Sequence, residues 1–379
     1  MRNITNLQKM CQIWHILSKI IKYRIIIILY YSVFASFTFT KPCFNISGTV
    51  LSKENLKIKR KTKYMKRKTI MLGIVGDSAA GKTTLTKGVV DLLGKNSVFP
   101  ICSDDYHKYN REERKINKIT ALNPACNYVD IMENHFTELR EGRAILKPNY
   151  NHSSGDFDAP TYVKPSDFVI VEGLLGYHTR VMRQNFDVKV YLAPQESLRK
   201  EWKVSRDMGK RGYSRDEVLA AIESREEDSE AFIRPQKKYA DIIIQFYPEE
   251  GSKSTDKLNA KILLSPKAPC EEYNQIIEEL SQKEFACANG SNKPCVSIGL
   301  EKIYGKPFEV IDISSDISED ETEYLKKRIA AAMEKKDVDI KVNLDHVGVL
   351  IKDNNQITSF PLALAQLTIA YFMLHAMEM

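Results

Sequence analysis

The sequence predicts an α/β fold, a mainly parallel, doubly wound sheet with helices on both faces, followed by an α+β extension. Three observations predict it. Five short apolar runs, at 70–75, 97–102, 167–173, 187–192 and 241–246, alternate with stretches of helical pattern at 129–141, 196–208 and 215–227. Strands spaced by helices in this way build parallel sheets. The first run ends in a glycine-rich loop, and the second and third end in carboxylates. Finally, 379 residues with 43% hydrophobic and 28% charged side chains suit one large core with a smaller appendage.

The N-terminal residues stand apart. Residues 1–68 hold 15 Lys or Arg against one acid, Glu54, so this stretch carries +14 of a chain whose net charge is +7. The remaining 311 residues are therefore acidic by seven charges, and a nucleic-acid partner, which needs a basic stripe, is not expected. The apolar run at 25–39 is flanked by cations but is shorter than the roughly 20 residues of a spanning helix. A signal or anchor and an upstream extension ahead of a start at Met65 or Met71 are both open readings. Residues 1–65 are set aside as an N-terminal extension, 66–250 are read as the core, and 251–379 as an extension packing on it. The seven cysteines show no C-x-x-C and no zinc-type pairing with His, so Cys287 and Cys295 are expected as reduced thiols in a cytoplasmic chain.

The core begins with a strand at Ile70–Val75 that runs into Gly76-Asp77-Ser78-Ala79-Ala80-Gly81-Lys82-Thr83 and then a helix from Thr84. This is G-x-x-x-x-G-K-[ST] between a strand and a helix. Its glycines permit positive φ, so successive N–H groups can cradle nucleotide phosphates at a helix N-terminus. Lys82 is expected on the β and γ phosphates of ATP and the Thr83 hydroxyl on Mg2+. Residues 76–84 form the expected ATP site, and a P-loop of this kind says nothing about the acceptor.

The second strand ends in Ser103-Asp104-Asp105-Tyr106-His107. Acids at the carboxyl end of a parallel strand lie in the crevice where such sheets bind ligands. One can orient an acceptor hydroxyl and take its proton, while the other caps a helix. Arg111 and the segment Lys147-Pro148-Asn149-Tyr150-Asn151-His152 are polar and basic within an acidic body, which suits an anionic acceptor. Glu172 closes the third strand where a carboxylate helps hold magnesium. Lys203, Arg206 and Lys210 recur at helical spacing on one face, ending in Gly209 and Gly212, which reads as a lid over the transferring phosphoryl group.

Together these segments resemble the phosphoribulokinases, most closely their dimeric plant and cyanobacterial branch. The resemblance is dense from 72 to 248 and adds Thr120-Ala121-Leu122-Asn123-Pro124, Val171-Glu172-Gly173-Leu174 and Pro235-Gln236-Lys237-Lys238-Tyr239-Ala240-Asp241. It implies phosphorylation of D-ribulose 5-phosphate at O1 by MgATP, with Asp104 as base and Lys82, Glu172 and Asp207 as further catalytic residues. Arg206 and Arg211 are implied at ATP, and His107, Arg111, Tyr150, His152 and Lys203 at the sugar phosphate. Thr83 and Glu172 are the implied metal ligands, and a homodimer is implied. Two departures matter: Asp216 stands where the family signature has Glu, and Ala80 stands where plant enzymes carry a regulatory loop cysteine, so that thiol switch cannot form with Cys102. The rival readings are a uridine kinase, which shares the loop, the acid and the lid, and a noncatalytic ATP sensor.

Beyond 250 the sequence reads as a polar, poorly ordered stretch to about 293, then a strand at 308–313, an amphipathic helix at 319–335 and an apolar helix at 360–379. Gln366 and the lack of a basic flank make this last a core or dimer helix rather than a membrane tail.

Overall fold

The computed structural model describes residues 69–249, 257–266, 271–283, 285, 287, 294–336, 340–352 and 355–379, all within one compact unit. The extension expected at 1–65 and the side chain of Lys210 lie outside this set.

The core sheet grows from β1 (Ile70–Gly76), β2 (Val98–Cys102), β5 (Phe168–Gly173), β6 (Val188–Leu192) and β7 (Ile242–Pro248). These five pair in parallel in the order β2-β5-β1-β6-β7. β1 is buried throughout because both of its faces are covered. Ile70, Leu72 and Ile74 enter one apolar cluster, while Met71 and Val75 enter the other. That is why the parallel strands read as continuous apolar runs instead of alternating patterns.

Helix α1 (Lys82–Leu93) joins β1 to β2, and between β2 and β5 the chain adds α2 (Arg111–Ile116) and α3 (Val129–Arg140), then a separate hairpin of β3 (Ile145–Asn151) and β4 (Asp156–Val163). After β5 come α4 (Arg180–Gln184), then, past β6, α5 (Glu196–Arg211) and α6 (Arg215–Glu223). Ser214 and Glu217 form a reciprocal cap that starts α6 sharply. The lid helix runs three residues past the expected Met208, so Gly209 sits inside it, and the turn is made by Gly212 at φ 73°.

The C-terminal residues depart most from expectation. The stretch read as poorly ordered contains β8 (Leu258–Leu264) and α7 (Glu271–Gln282). β8 joins β7 antiparallel and extends the same sheet through β10 (Lys306–Ile313) to β9 (Val296–Ile303), giving eight strands. Helix α8 (Glu319–Glu334) follows, then a small hairpin, β11 (Val349–Lys352) with β12 (Asn355–Thr358), and α9 (Phe360–Glu378). Cys287 and Cys295, expected as reduced thiols, are joined as a disulfide across a Cα separation of 5.5 Å. The Cys295 amide donates to the Phe285 carbonyl at 3.4 Å, which holds the two cysteine segments side by side.

Helix α9 is apolar on all sides because it is packed on all sides, against α1, α8, β1, β6 and β8. It is long and apolar enough to cross a membrane, yet 83% of its apolar window is buried in this fold. Gln366 in its middle accepts from the Gly348 amide at 2.8 Å. Gly88 of α1 lies so close that a Cβ there would stand 1.9 Å from Gln366 Nε2.

Candidate active site

The loop between β1 and α1 curls through two left-handed residues, Ala79 at φ 64° and Gly81 at φ 94°. Gly81 takes this conformation without cost, whereas Ala79 holds a mildly strained one. The loop is braced from outside. Asp77 accepts from the Ser78 amide at 2.6 Å and from the Ser229 hydroxyl, and buried Arg199 of α5 donates to the Ser78 carbonyl at 2.9 Å. Lys82 donates to the carbonyls of Gly76 and Asp77 at 2.9 Å each, so its ammonium lies over the loop. Thr83 and Thr84 are exposed at the start of α1.

Glu172, at the end of β5, accepts from Thr83 Oγ1 and Thr86 Oγ1, both at 3.1 Å. Burial raises its pKa, and Lys82 with the two hydroxyls works against the rise. A hydroxyl and a carboxylate at hydrogen-bond distance are a hard oxygen donor set, which fits a magnesium ion.

The two adjacent acids separate into different surroundings. Asp105 is tied down: Lys147 Nζ donates to one oxygen at 2.5 Å and the Tyr150 amide to the other at 3.0 Å. It thereby fastens strand β3 to the end of β2. Asp104 makes no side-chain hydrogen bond among the described residues, and its ion-pair contact is His152 Nε2 at 3.9 Å. Burial pushes its carboxyl up, but His107, Lys82, His152 and Arg206 outweigh this and hold it below the ordinary carboxylate value. It is thus an anion aimed at a cationic cleft.

The acceptor side is built around the hairpin. His107 is buried, with Nδ1 2.7 Å from Asn127 Oδ1 and its ring edge-on to Tyr150. Arg111 donates to the His152 carbonyl at 2.6 Å, and Arg114 donates to the Tyr150 hydroxyl at 2.6 Å. Burial lowers the pKa of both His107 and His152.

The lid cations Lys203, Arg206 and Arg211 converge on one carboxylate. Lys203 is turned inward and only 2% exposed, donating to Asp207 at 2.9 Å. Burial, aided by Arg225, lowers its pKa to about 8. Asp207 gathers Lys203, Arg206 at 2.9 Å and Arg211 at 3.3 Å. Its pKa falls to about 2 despite burial, because Arg206 and Lys203 donate to it. Arg206 reaches Ser78 Oγ at 3.4 Å, which brings the lid to the loop.

Sequence reading passed over Arg199, Ser229, Arg114 and the pairing of Lys147 with Asp105. Only Arg199 carried a signal, since it precedes Lys203 by four residues and so shares its helical face.

Residues 71–252 match the family described as Phosphoribulokinase / Uridine kinase family. A phosphoribulokinase of Synechocystis sp. is 34% identical over 240 residues, covering 63% of this chain and 72% of the relative. The chain belongs to the phosphoribulokinase/uridine kinase family. It is accordingly a kinase acting on an alcohol acceptor. The chloroplastic phosphoribulokinase of Spinacia oleracea is 35% identical over 201 residues, covering 48% of this chain and 50% of that protein. The chain thus aligns with about half the length of this plant relative. A uridine kinase of Staphylococcus aureus is 34% identical over 188 residues, covering 48% of this chain and 89% of its own.

Proposed function

We propose that this chain is a phosphoribulokinase, moving the γ-phosphoryl group of MgATP to the 1-hydroxyl of D-ribulose 5-phosphate to give ribulose 1,5-bisphosphate and ADP. The observation that carries this reading is the division between Asp105, bound to Lys147 and Tyr150, and Asp104, left facing a cleft of cations. A sugar phosphate brings its own charge to such a cleft, and arginines suit phosphate oxygens. Uridine carries no charge for them to meet.

In this reading the loop amides and Lys82 hold the ATP phosphates, and Arg206, carried by α5 beside Ser78, neutralises charge on the transferring group. Asp207 keeps Arg206 and Arg211 in place with Lys203 behind it. Thr83 and Glu172 would hold magnesium, which when bound neutralises phosphate charge. Asp104 orients the acceptor hydroxyl and takes its proton late, as the new O–P bond forms, so a low pKa is no handicap. His107, Arg111, Tyr150 and His152 shape the acceptor end. The reading includes a cytoplasmic homodimer, whose mass light scattering would give.

ADP release by the full chain with MgATP and either ribulose 5-phosphate or uridine tests the proposal. Turnover on the sugar phosphate supports it. Turnover on uridine alone moves the chain to the nucleoside kinases, and turnover on neither favours an ATP sensor.

A further inference from the structure

We propose that Cys102, Asp104 and His152 form a second metal site, separate from Thr83 and Glu172, which takes a transition-metal ion of the zinc class and inhibits the enzyme. The inhibition rests on the reading of Asp104 as base; the binding does not.

The Cys102 sulfur, an Asp104 carboxylate oxygen and an imidazole nitrogen of His152 all lie within 4.8 Å of one another. Zinc bond lengths put neighbouring ligand atoms of a tetrahedral site about 3.5 Å apart, so closure needs movements on the order of an ångström. Two ligands are fixed by the sheet. Cys102 is the last residue of β2, and Asp104 lies in the turn Ser103–Tyr106, held by the Leu174 amide on Ser103 Oγ at 3.1 Å. The third is delivered by the hairpin, where Arg111 holds the His152 backbone at 2.6 Å.

Sulfur, imidazole and carboxylate together suit zinc and cobalt and disfavour magnesium, which takes oxygen donors. On coordination the Cys102 thiol loses its proton to water, so thiolate and carboxylate supply two negative charges to offset the dication and the nearby cations. Three protein ligands leave one position open toward the cleft. The ion would occupy the oxygen of Asp104 that receives the acceptor's proton, and it would stand where that hydroxyl must come. Inhibition is therefore competitive with the acceptor and not with ATP.

The test is a cobalt titration of the full-length, freshly reduced protein, followed by zinc competition against a chromophoric chelator. The wild type should show a thiolate-to-cobalt charge-transfer band that Cys102→Ser and Cys102→Ala lose, with zinc affinity at least about tenfold weaker in both. In the rate assay with excess magnesium, buffered zinc should inhibit the wild type reversibly. Cys102→Ser should resist inhibition while its zinc-free rate stays within about twofold of wild type. An unchanged band and affinity in both variants, or equal zinc inhibition, overturns the proposal. The cobalt band needs no substrate, so failure to turn over ribulose 5-phosphate counts against the function alone and leaves the band to decide this site.

Discussion

The two halves of the eight-stranded sheet do different work. The parallel half, β2-β5-β1-β6-β7, delivers the loop, Asp104 and Glu172 from the carboxyl ends of three adjacent strands. The antiparallel half, β8-β10-β9, brings no candidate site residue, yet Ile262, Leu263 and Ile311 within it are among the most buried side chains. In a parallel half all strand ends of one kind face the same way, so chemistry concentrates there. The antiparallel half enlarges the core that holds those ends still. Substitutions in the first half should therefore cost turnover, and those in the second should cost stability.

The largest effect expected is at Lys82. Lys82→Ala should lower kcat by about a thousandfold while melting within a few degrees of wild type, since one positioned cation on the phosphates is worth roughly that much. Steady-state kinetics beside a thermal melt checks this, and a large drop in Tm would blur the division. The mirror experiment is Ile262→Ala in β8. Removing this fully buried side chain should cost about 3 kcal/mol of stability, with kcat and KM unchanged in the folded fraction. Altered KM would show that the antiparallel half reaches into the site.

Asp207 offers a smaller test. Its carboxyl is held at about 2 against an ordinary 3.8, which corresponds to about 2 kcal/mol of stability. Because the folded value is depressed, that stability is fully present above the unfolded value and is lost as pH falls toward 2. Asp207→Asn should thus lower Tm at neutral pH, and the gap to wild type should close on acidification.

Lys203 gives the smallest effect. With a pKa of about 8 it loses its charge as pH rises, and Asp207 then loses a partner behind the lid. Turnover should decline above about pH 8, and Lys203→Arg, which keeps its charge, should move the decline upward. Stability changes with pH in the same direction as for Asp207, rising as pH rises, because both folded values lie below the unfolded ones. A folded pKa below the unfolded 10.5 means that burying charged Lys203 is a cost below pH 8, relieved between 8 and 10.5.

The same division governs how much was legible. The parallel strands are apolar throughout, and the loop motif fixes its own setting, so residues 70–102 and 168–248 read correctly in outline. The hairpin was not read because seven of the eight residues of β4 are exposed and no face alternates. β8 was missed because its first half is polar and it follows a run of Ser, Lys and Thr. Helix α7 was legible in principle. Tyr273, Ile276, Ile277 and Leu280 are buried at helical spacing, but Glu, Gln and Asn between them masked the stripe. At the site, two adjacent acids were visible as one base and one structural group. The residues alone left open which was which; the family resemblance pointed to Asp104, and Lys147, forty-two residues away, claims Asp105.

That assignment is the central claim, and paired substitution tests it most directly. MgATP affinity, Tm and single-turnover phosphoryl transfer to ribulose 5-phosphate would be measured for Asp104→Asn and Asp105→Asn. The account predicts that Asp104→Asn binds MgATP and melts like wild type but transfers at least about a thousandfold more slowly. Asp105→Asn should instead lower Tm and raise the acceptor KM, with a much smaller loss in the transfer step. Transfer by Asp104→Asn within about tenfold of wild type, or a greater loss in Asp105→Asn, would contradict it.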